Sequence, residues 1–183
     1  MGHVIFGMNT SVDGYVAGPA GRADDMPGPS DELHQYFNDL QKSAALSVYG
    51  RELYTDMQYW DTDDPSWTGV QKEFAAVWRE TPKVVVSTTL TEVGPNTTLV
   101  SEDVDEELRR VVAATDGEID VGGPTLAATL TRLGLIDEYR IYQHPQVLGG
   151  GKPFFAEETP RLSLLDVEML PDDTVLLRYQ PVR

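Results

Sequence analysis

The stretch EIDVGGPTLAATLTRLGLIDEYRIY, Glu118 to Tyr142, constrains the fold more than any other. Ile119 and Val121 end a strand-like run, Gly122 and Gly123 follow, Pro124 suits a first helical position, and Leu126, Leu130 and Leu133 recur at helical spacing. Gly134 then fits a helix stop. The segment reads as strand, glycine pair, helix N-terminus. A glycine pair standing alone marks a turn. In this setting it lets backbone N–H groups approach an anion closely, while the helix dipole favours negative charge. A diphosphate is a natural guest. Neither G-x-G-x-x-G nor G-x-x-x-x-G-K-[ST] occurs, so a conventional Rossmann domain and a P-loop both lack support.

A net charge of −16 bears directly on that guest, because it repels nucleic acid and anionic membranes and resists entry of a phosphate-bearing cofactor. Such a cofactor needs local N–H groups and a positioned arginine. Arg51 answers this: Ala45 to Tyr49 is a buried strand candidate, and it runs into Gly50-Arg51-Glu52-Leu53-Tyr54, a second strand, glycine and helix start. The absence of cysteine excludes disulfides, thiolate nucleophiles and Cys-ligated zinc. No stretch reaches the ~20 apolar residues of a membrane helix, and the N-terminus lacks a signal-peptide pattern, so a cytoplasmic protein without nucleic-acid or membrane partners is expected. With 183 residues, one domain over 1–183 is the default.

Along the chain, His3 to Met8 reads as a first core strand and residues 9–30 as a loop or flap rich in Gly, Pro and Asp. Ser30 caps a helix over Asp31 to Lys42. Residues 55–69 read as loop or broken helix, and Val70 to Glu80 as helix. Lys83 to Ser87, Thr98 to Val100, Glu118 to Val121 and Glu138 to Gln143 are strands, and Asp103 to Ala114 and Pro124 to Leu133 are helices. A Gly-rich loop at 149–151 precedes strands near Leu162 to Leu170 and Thr174 to Tyr179. The alternation predicts an α/β fold: a mostly parallel sheet, helices on both faces and an antiparallel C-terminal edge.

In order, SVDGYVAG from Ser11, VYGRELYTDMQYW from Val48, KVVVSTTL from Lys83, DVGGPTLAATLTRLGLIDEYRIY from Asp120 and PQVLGGGKPFF from Pro145 resemble the dihydrofolate reductase superfamily. The branch they are most similar to holds the reductase domain of riboflavin biosynthesis. The resemblance implies a dihydrofolate-reductase-like fold, NADPH lying over the carboxyl ends of the strands, and hydride transfer to a small heteroaromatic or conjugated substrate, pterin-like or of the riboflavin-precursor pyrimidine type. It also implies a homodimer.

The same resemblance implies site residues. Gly122, Gly123, Pro124, Thr125 and Leu126 would meet the diphosphate, with Gly50, Arg51 and Leu53 forming a second phosphate-binding helix start. Ser87, Thr88 and Thr89 would reach the adenosine side and, with Arg51, a 2′-phosphate; turn capping is the alternative for Ser87 and Thr88. The nicotinamide maps near Phe6, Gly7, Met8, Val16 and Ala17. Glu32 and Asp13 are the proton-donor candidates, although a helix-dipole acid and an Asp-Gly turn explain them comparably. Tyr36, Trp60 and Tyr142 are candidate flat walls, and His34 and His144 candidate substrate ligands. No metal site is indicated. A bound phosphate would find few partners before residue 51, where Arg22 and Lys42 are the only Lys or Arg side chains. The alternative function is a non-catalytic NADP(H)-binding or redox-sensing module.

Overall fold

The computed structural model describes residues 2–21 and 25–183; Arg22 lies outside them. β1 (His3–Thr10) runs on through the turn into β2 (Tyr15–Ala17). Ser30 opens α1 (Asp31–Ser43) as predicted, its Oγ accepting the Leu33 N–H at 3.3 Å. β3 (Ala44–Gly50) follows without a loop, and α2 (Arg51–Met57) starts at once. The segment expected as loop or broken helix is a broken helix: α2 tightens into a 3₁₀ turn at Gln58–Asp61, held by Arg79 Nε donating to the Trp60 carbonyl at 2.9 Å. α3 (Gly69–Glu80), β4 (Lys83–Val86), β5 (Thr97–Val100) and α4 (Val104–Ala114) come next. β6 (Glu118–Gly122), α5 (Pro124–Arg132), β7 (Glu138–Gln143), β8 (Lys152–Pro153), β9 (Leu162–Met169) and β10 (Val175–Pro181) complete the chain.

Eight strands form one sheet in the order β5-β4-β3-β6-β1-β7-β10-β9, and β2 and β8 make a small antiparallel ribbon. Pairing is parallel from β5 through β7 and antiparallel where β10 joins β7 and β9 joins β10. This is the expected α/β class. Side-chain alternation divides the faces. Val4, Phe6, Val48, Ile119 and Val121 meet α4 and α5 through Leu108, Val112, Leu126 and Leu130. On the opposite face Tyr49 and Val85 meet Phe74 and Trp78 of α3, while α1 packs Leu33 on Tyr142 and Leu176.

The parallel and antiparallel parts are joined by an ionic device. Arg140 of β7 stands directly opposite Arg178 of β10, a like-charge pair that by itself destabilises a sheet. Glu138 offsets this. Its Oε1 accepts from Arg140 Nε and from Arg178 Nε, each at 2.7 Å, and its Oε2 accepts from Arg178 Nη2 at 3.1 Å. Burial alone would raise the Glu138 carboxyl; the Arg178 and Arg140 guanidiniums overcome it and hold the group down at about 2. Its stabilising contribution is therefore present above the ordinary carboxylate range and is lost as pH falls toward about 2.

Glu138→Ala leaves two guanidiniums facing one another in a half-buried place. Urea unfolding near neutral pH is expected to show a loss of roughly 3 kcal/mol, with the deficit narrowing in acid. A loss well under about 1 kcal/mol would mean that the network is no more than a surface ion pair.

Candidate active site

A cavity of about 430 Å³ lies between α1 and the sheet. Its floor is made by alternate positions of three central strands: Ile5, Gly7 and Asn9 of β1; Glu118, Asp120 and Gly122 of β6; Arg140 and Tyr142 of β7. Its roof comes from His34, Phe37 and Gln41 of α1, one helical face at i, i+3 and i+7. Trp60, Phe74 and Leu53 form one side, and Met26 to Pro29, at the end of the 9–30 segment, also line the cavity.

The aromatic side is densely built. The Trp60 ring lies 4.9 Å from Phe74, 5.1 Å from Trp67 and 5.8 Å from His34. Trp67 Nε1 donates to the Tyr59 hydroxyl at 2.7 Å, so that indole N–H is satisfied within the cluster. Across the cavity Tyr142 packs edge-on to Phe37 at 5.2 Å. A side chain at position 7 would crowd Tyr142, its Cβ coming 3.3 Å from Cε2, so Gly7 makes room for that ring.

Both glycine turns sit at the carboxyl edge of the parallel strands. Gly123 begins α5 with φ +102°, and neither it nor Gly50, which begins α2, supplies a side-chain cap. Tyr49 pairs with Gly122 across β3 and β6, and a Cβ on Gly123 would lie 3.9 Å from the Gly50 nitrogen. The two helix starts are therefore neighbours, their first N–H groups uncapped by any side chain. Gly122 has no space for a Cβ because Leu53 and Tyr49 pack against it. Pro124 and Leu126 are buried beneath, and Thr125 is exposed beside the turn.

Of the predicted residues, Met8, Val16, Leu53, Gly122, His34, Trp60, Tyr142 and His144 line the cavity. Tyr36 stands behind Tyr142, ring to ring at 6.2 Å. Ala17 is buried in β2 without reaching the cavity. Arg51 is exposed at the start of α2, its Nη2 3.6 Å from Glu52 Oε1. Ser87 is buried and its Oγ accepts the Thr89 and Leu90 N–H groups at 3.2 and 3.1 Å, so it caps the turn after β4; Thr88 and Thr89 are exposed.

The two proton-donor candidates are misplaced for that role. The register that turns His34, Phe37 and Gln41 inward turns Glu32 to solvent, and it does not line the cavity. Asp13 is exposed and closes a loop: its oxygens accept from Leu148 N at 3.1 Å and Gly149 N at 2.7 Å. Hydrogen bonds from Ser11, Leu148 and Gly149 hold its carboxyl below the usual range.

Two acids do reach the cavity, Glu118 and Asp120. The Asp120 carboxyl is pushed up to about 6, by burial first and by Glu118, with Arg140 opposing. Burial also lowers both cavity histidines. His144 is held between Asn9 Oδ1 at 2.8 Å from Nε2 and Thr174 Oγ1 at 3.3 Å from Nδ1. Gln41 Nε2 donates to Ser47 Oγ at 3.0 Å under the floor. The sequence reading passed over Asp120, Arg140 and Gln41. One signal was present: in a strand expected to be buried on both faces, EIDVG places an acid at the alternate, non-apolar positions.

The sequence pattern of the RibD C-terminal domain matches residues 2–176. This chain belongs to that family. The uncharacterized protein YyaP of Bacillus subtilis is 28% identical over 168 residues, spanning 88% of this chain and 84% of its own. Among solved structures, a Shewanella sp. PV-4 protein provisionally assigned to riboflavin biosynthesis superposes over the whole of both chains with a TM-score of 0.75 and 26% identity. The Thermotoga maritima diaminohydroxyphosphoribosylaminopyrimidine deaminase/5-amino-6-(5-phosphoribosylamino)uracil reductase matches 99% of this chain with a TM-score of 0.69 and 16% identity. This chain covers 57% of that longer chain. The fold is thus that of RibD-like reductases, and the protein is reductase-like. No helix among the described residues is long and apolar enough to cross a membrane.

Proposed function

We propose that this protein is an NADPH-dependent reductase of a small, flat heteroaromatic or conjugated molecule. The observation that carries this reading is the adjacency of two uncapped, glycine-led helix starts, at the carboxyl edge of a parallel sheet, to an aromatic-walled cavity that Gly122 and Leu53 also line. When bound, NADPH supplies a hydride. The chain's own part is positioning. Gly123 and the first turn of α5 would hold the diphosphate with N–H groups, helped by Gly50, while Arg51 would reach the 2′-phosphate. Met8, Val16 and Gly7 would set the depth of the nicotinamide beside the cavity. The packed aromatic side and the Met26 to Pro29 flap would exclude water from the reacting faces.

The non-catalytic nucleotide-binding or redox-sensing alternative draws on the outward placement of Glu32 and Asp13. Turnover separates the two. The domain would act as one unit over 1–183, and a homodimer is proposed through β9, an edge strand that leaves Leu164 53%, Val167 52% and Met169 67% exposed. Sedimentation at micromolar concentration checks this; a monomer would refute it.

For the reaction, NADPH oxidation is to be followed against dihydrofolate, dihydropterins, the riboflavin pyrimidine precursor and quinones. Consumption with one of them is expected, whereas NADPH binding with no consumption across a widened panel would favour the sensor. In Arg51→Ala, NADPH affinity is expected to drop about tenfold while NADH affinity changes little. Equal weakening of both would move Arg51 from the 2′-phosphate to the diphosphate.

A further inference from the structure

The sheet order places one ion pair across the glycine turn. β6 lies between β3 and β1, and the chain leaves each at its carboxyl end: β3 into α2, β6 through Gly122 and Gly123 into α5, and β1 through a turn into β2, where Ala17 pairs with Lys152 of β8. Glu52, in the first turn of α2, therefore stands on the β3 side of the glycine turn, and Lys152 on the β1 side. Lys152 Nζ donates to Glu52 Oε2 at 2.7 Å. The pair thus spans the carboxyl end of β6.

The fold does not need this pair to place Lys152. Its backbone is fixed by other contacts: Asp13 accepts from Leu148 N and Gly149 N, Phe154 N donates to the Gly14 carbonyl at 3.0 Å, and a side chain at position 151 would run into the Ala17 carbonyl. An ion pair whose Glu52 side chain is 65% exposed adds little to stability. Glu52 also faces a second cation, Arg51 Nη2 lying 3.6 Å from its Oε1. The Lys152 hydrogen bond and charge, and then Arg51, hold the Glu52 carboxyl below the usual range. One carboxylate against two cations leaves a local surplus of positive charge in a chain of net charge −16. That surplus stands two residues from Gly50, whose nitrogen a Cβ on Gly123 would approach to 3.9 Å. A diphosphate arriving there carries more charge than the single carboxylate and competes with it for the ammonium.

We propose that Lys152 is a diphosphate-binding residue and Glu52 its internal competitor: on cofactor entry the ammonium leaves the Glu52 carboxylate for a diphosphate oxygen, so that the pair acts as a latch over the Gly122 and Gly123 turn. This rests on the reading of that turn as the place of the diphosphate. The rigid backbone at 148–154 confines the exchange to the two side chains, and no element of the fold has to move. A structural ion pair and a latch differ in sign. Removing either partner of a structural pair does the same damage, whereas removing Lys152 harms a latch and removing the Glu52 charge releases it.

The test titrates NADPH and NADH into wild type, Lys152→Ala, Glu52→Gln and the double variant, with binding read from nucleotide fluorescence and melting measured without nucleotide. Lys152→Ala is expected to weaken both nucleotides about tenfold, because the diphosphate is common to them. Glu52→Gln is expected to tighten NADH about threefold, the gain from releasing an exposed ion pair. That gain should vanish in the double variant, where no lysine is left to release. All of these proteins are expected to melt close together. Both single variants binding more weakly would make the pair structural, and a Glu52→Gln gain that persists without Lys152 would make it a general field effect; either result overturns the latch. If Lys152→Ala does not fold, Glu52→Gln binding NADH no more tightly than wild type overturns it. Wild type that binds neither nucleotide removes the cofactor reading and the latch with it, whereas wild-type binding matched by Lys152→Ala removes the latch alone.

Discussion

The parallel pairing of β6 between β3 and β1 is the constraint on which the rest depends. Five residues, EIDVG, lie at the centre of an eight-stranded sheet, and their period of two divides them between two tasks. Ile119 and Val121 enter the core beneath α4 and α5. Glu118, Asp120 and Gly122 enter the cavity beneath α1. A slip of one residue would bury the acids in the apolar layer and expose the valine and isoleucine, so register and site are specified by the same alternation. The strand ends at Gly122, where Tyr49 and Leu53 leave no room for a side chain, and the chain turns through Gly123 into α5.

Positions around the cavity are costly to stability. Asp120, whose carboxyl is pushed up by burial, and the two helix starts without side-chain caps each hold groups away from their most stable arrangement. Compensation comes from the apolar layer and from Glu138, which reconciles Arg140 with Arg178 where the parallel sheet meets its antiparallel edge. Arg140 thus serves both parts: it is held by Glu138 and presents its remaining surface to the cavity, 3.8 Å from Glu118.

Much of this was legible in the sequence because local patterns were strong. The Ser30 cap, the apolar spacing of α1 and α5, and the two strand-glycine-helix units stand within a residue or two of their expected places. The glycines at the two helix starts were legible for the same reason. The cavity was less so. Glu32 and His34 are two residues apart on one helix, and only the packing of Leu33 against Tyr142 and Leu176 determines that His34 turns inward and Glu32 outward. Asp13 looked available because its partners, the Leu148 and Gly149 N–H groups, come from a loop 135 and 136 residues away. Asp120 was hidden by its neighbours, since its apolar flanks drew attention to the core face of the strand.

The most direct test is a crystal structure of the protein with NADPH bound. The diphosphate is expected against the N–H groups of Gly123 and the first turn of α5, beside Gly50, with the nicotinamide near Gly7 and Met8 and the cavity above Asp120 left open for substrate. A nucleotide seated elsewhere, or one that fills the cavity over Asp120, would contradict both the cofactor assignment and the division of the site into a phosphate edge and an acidic floor.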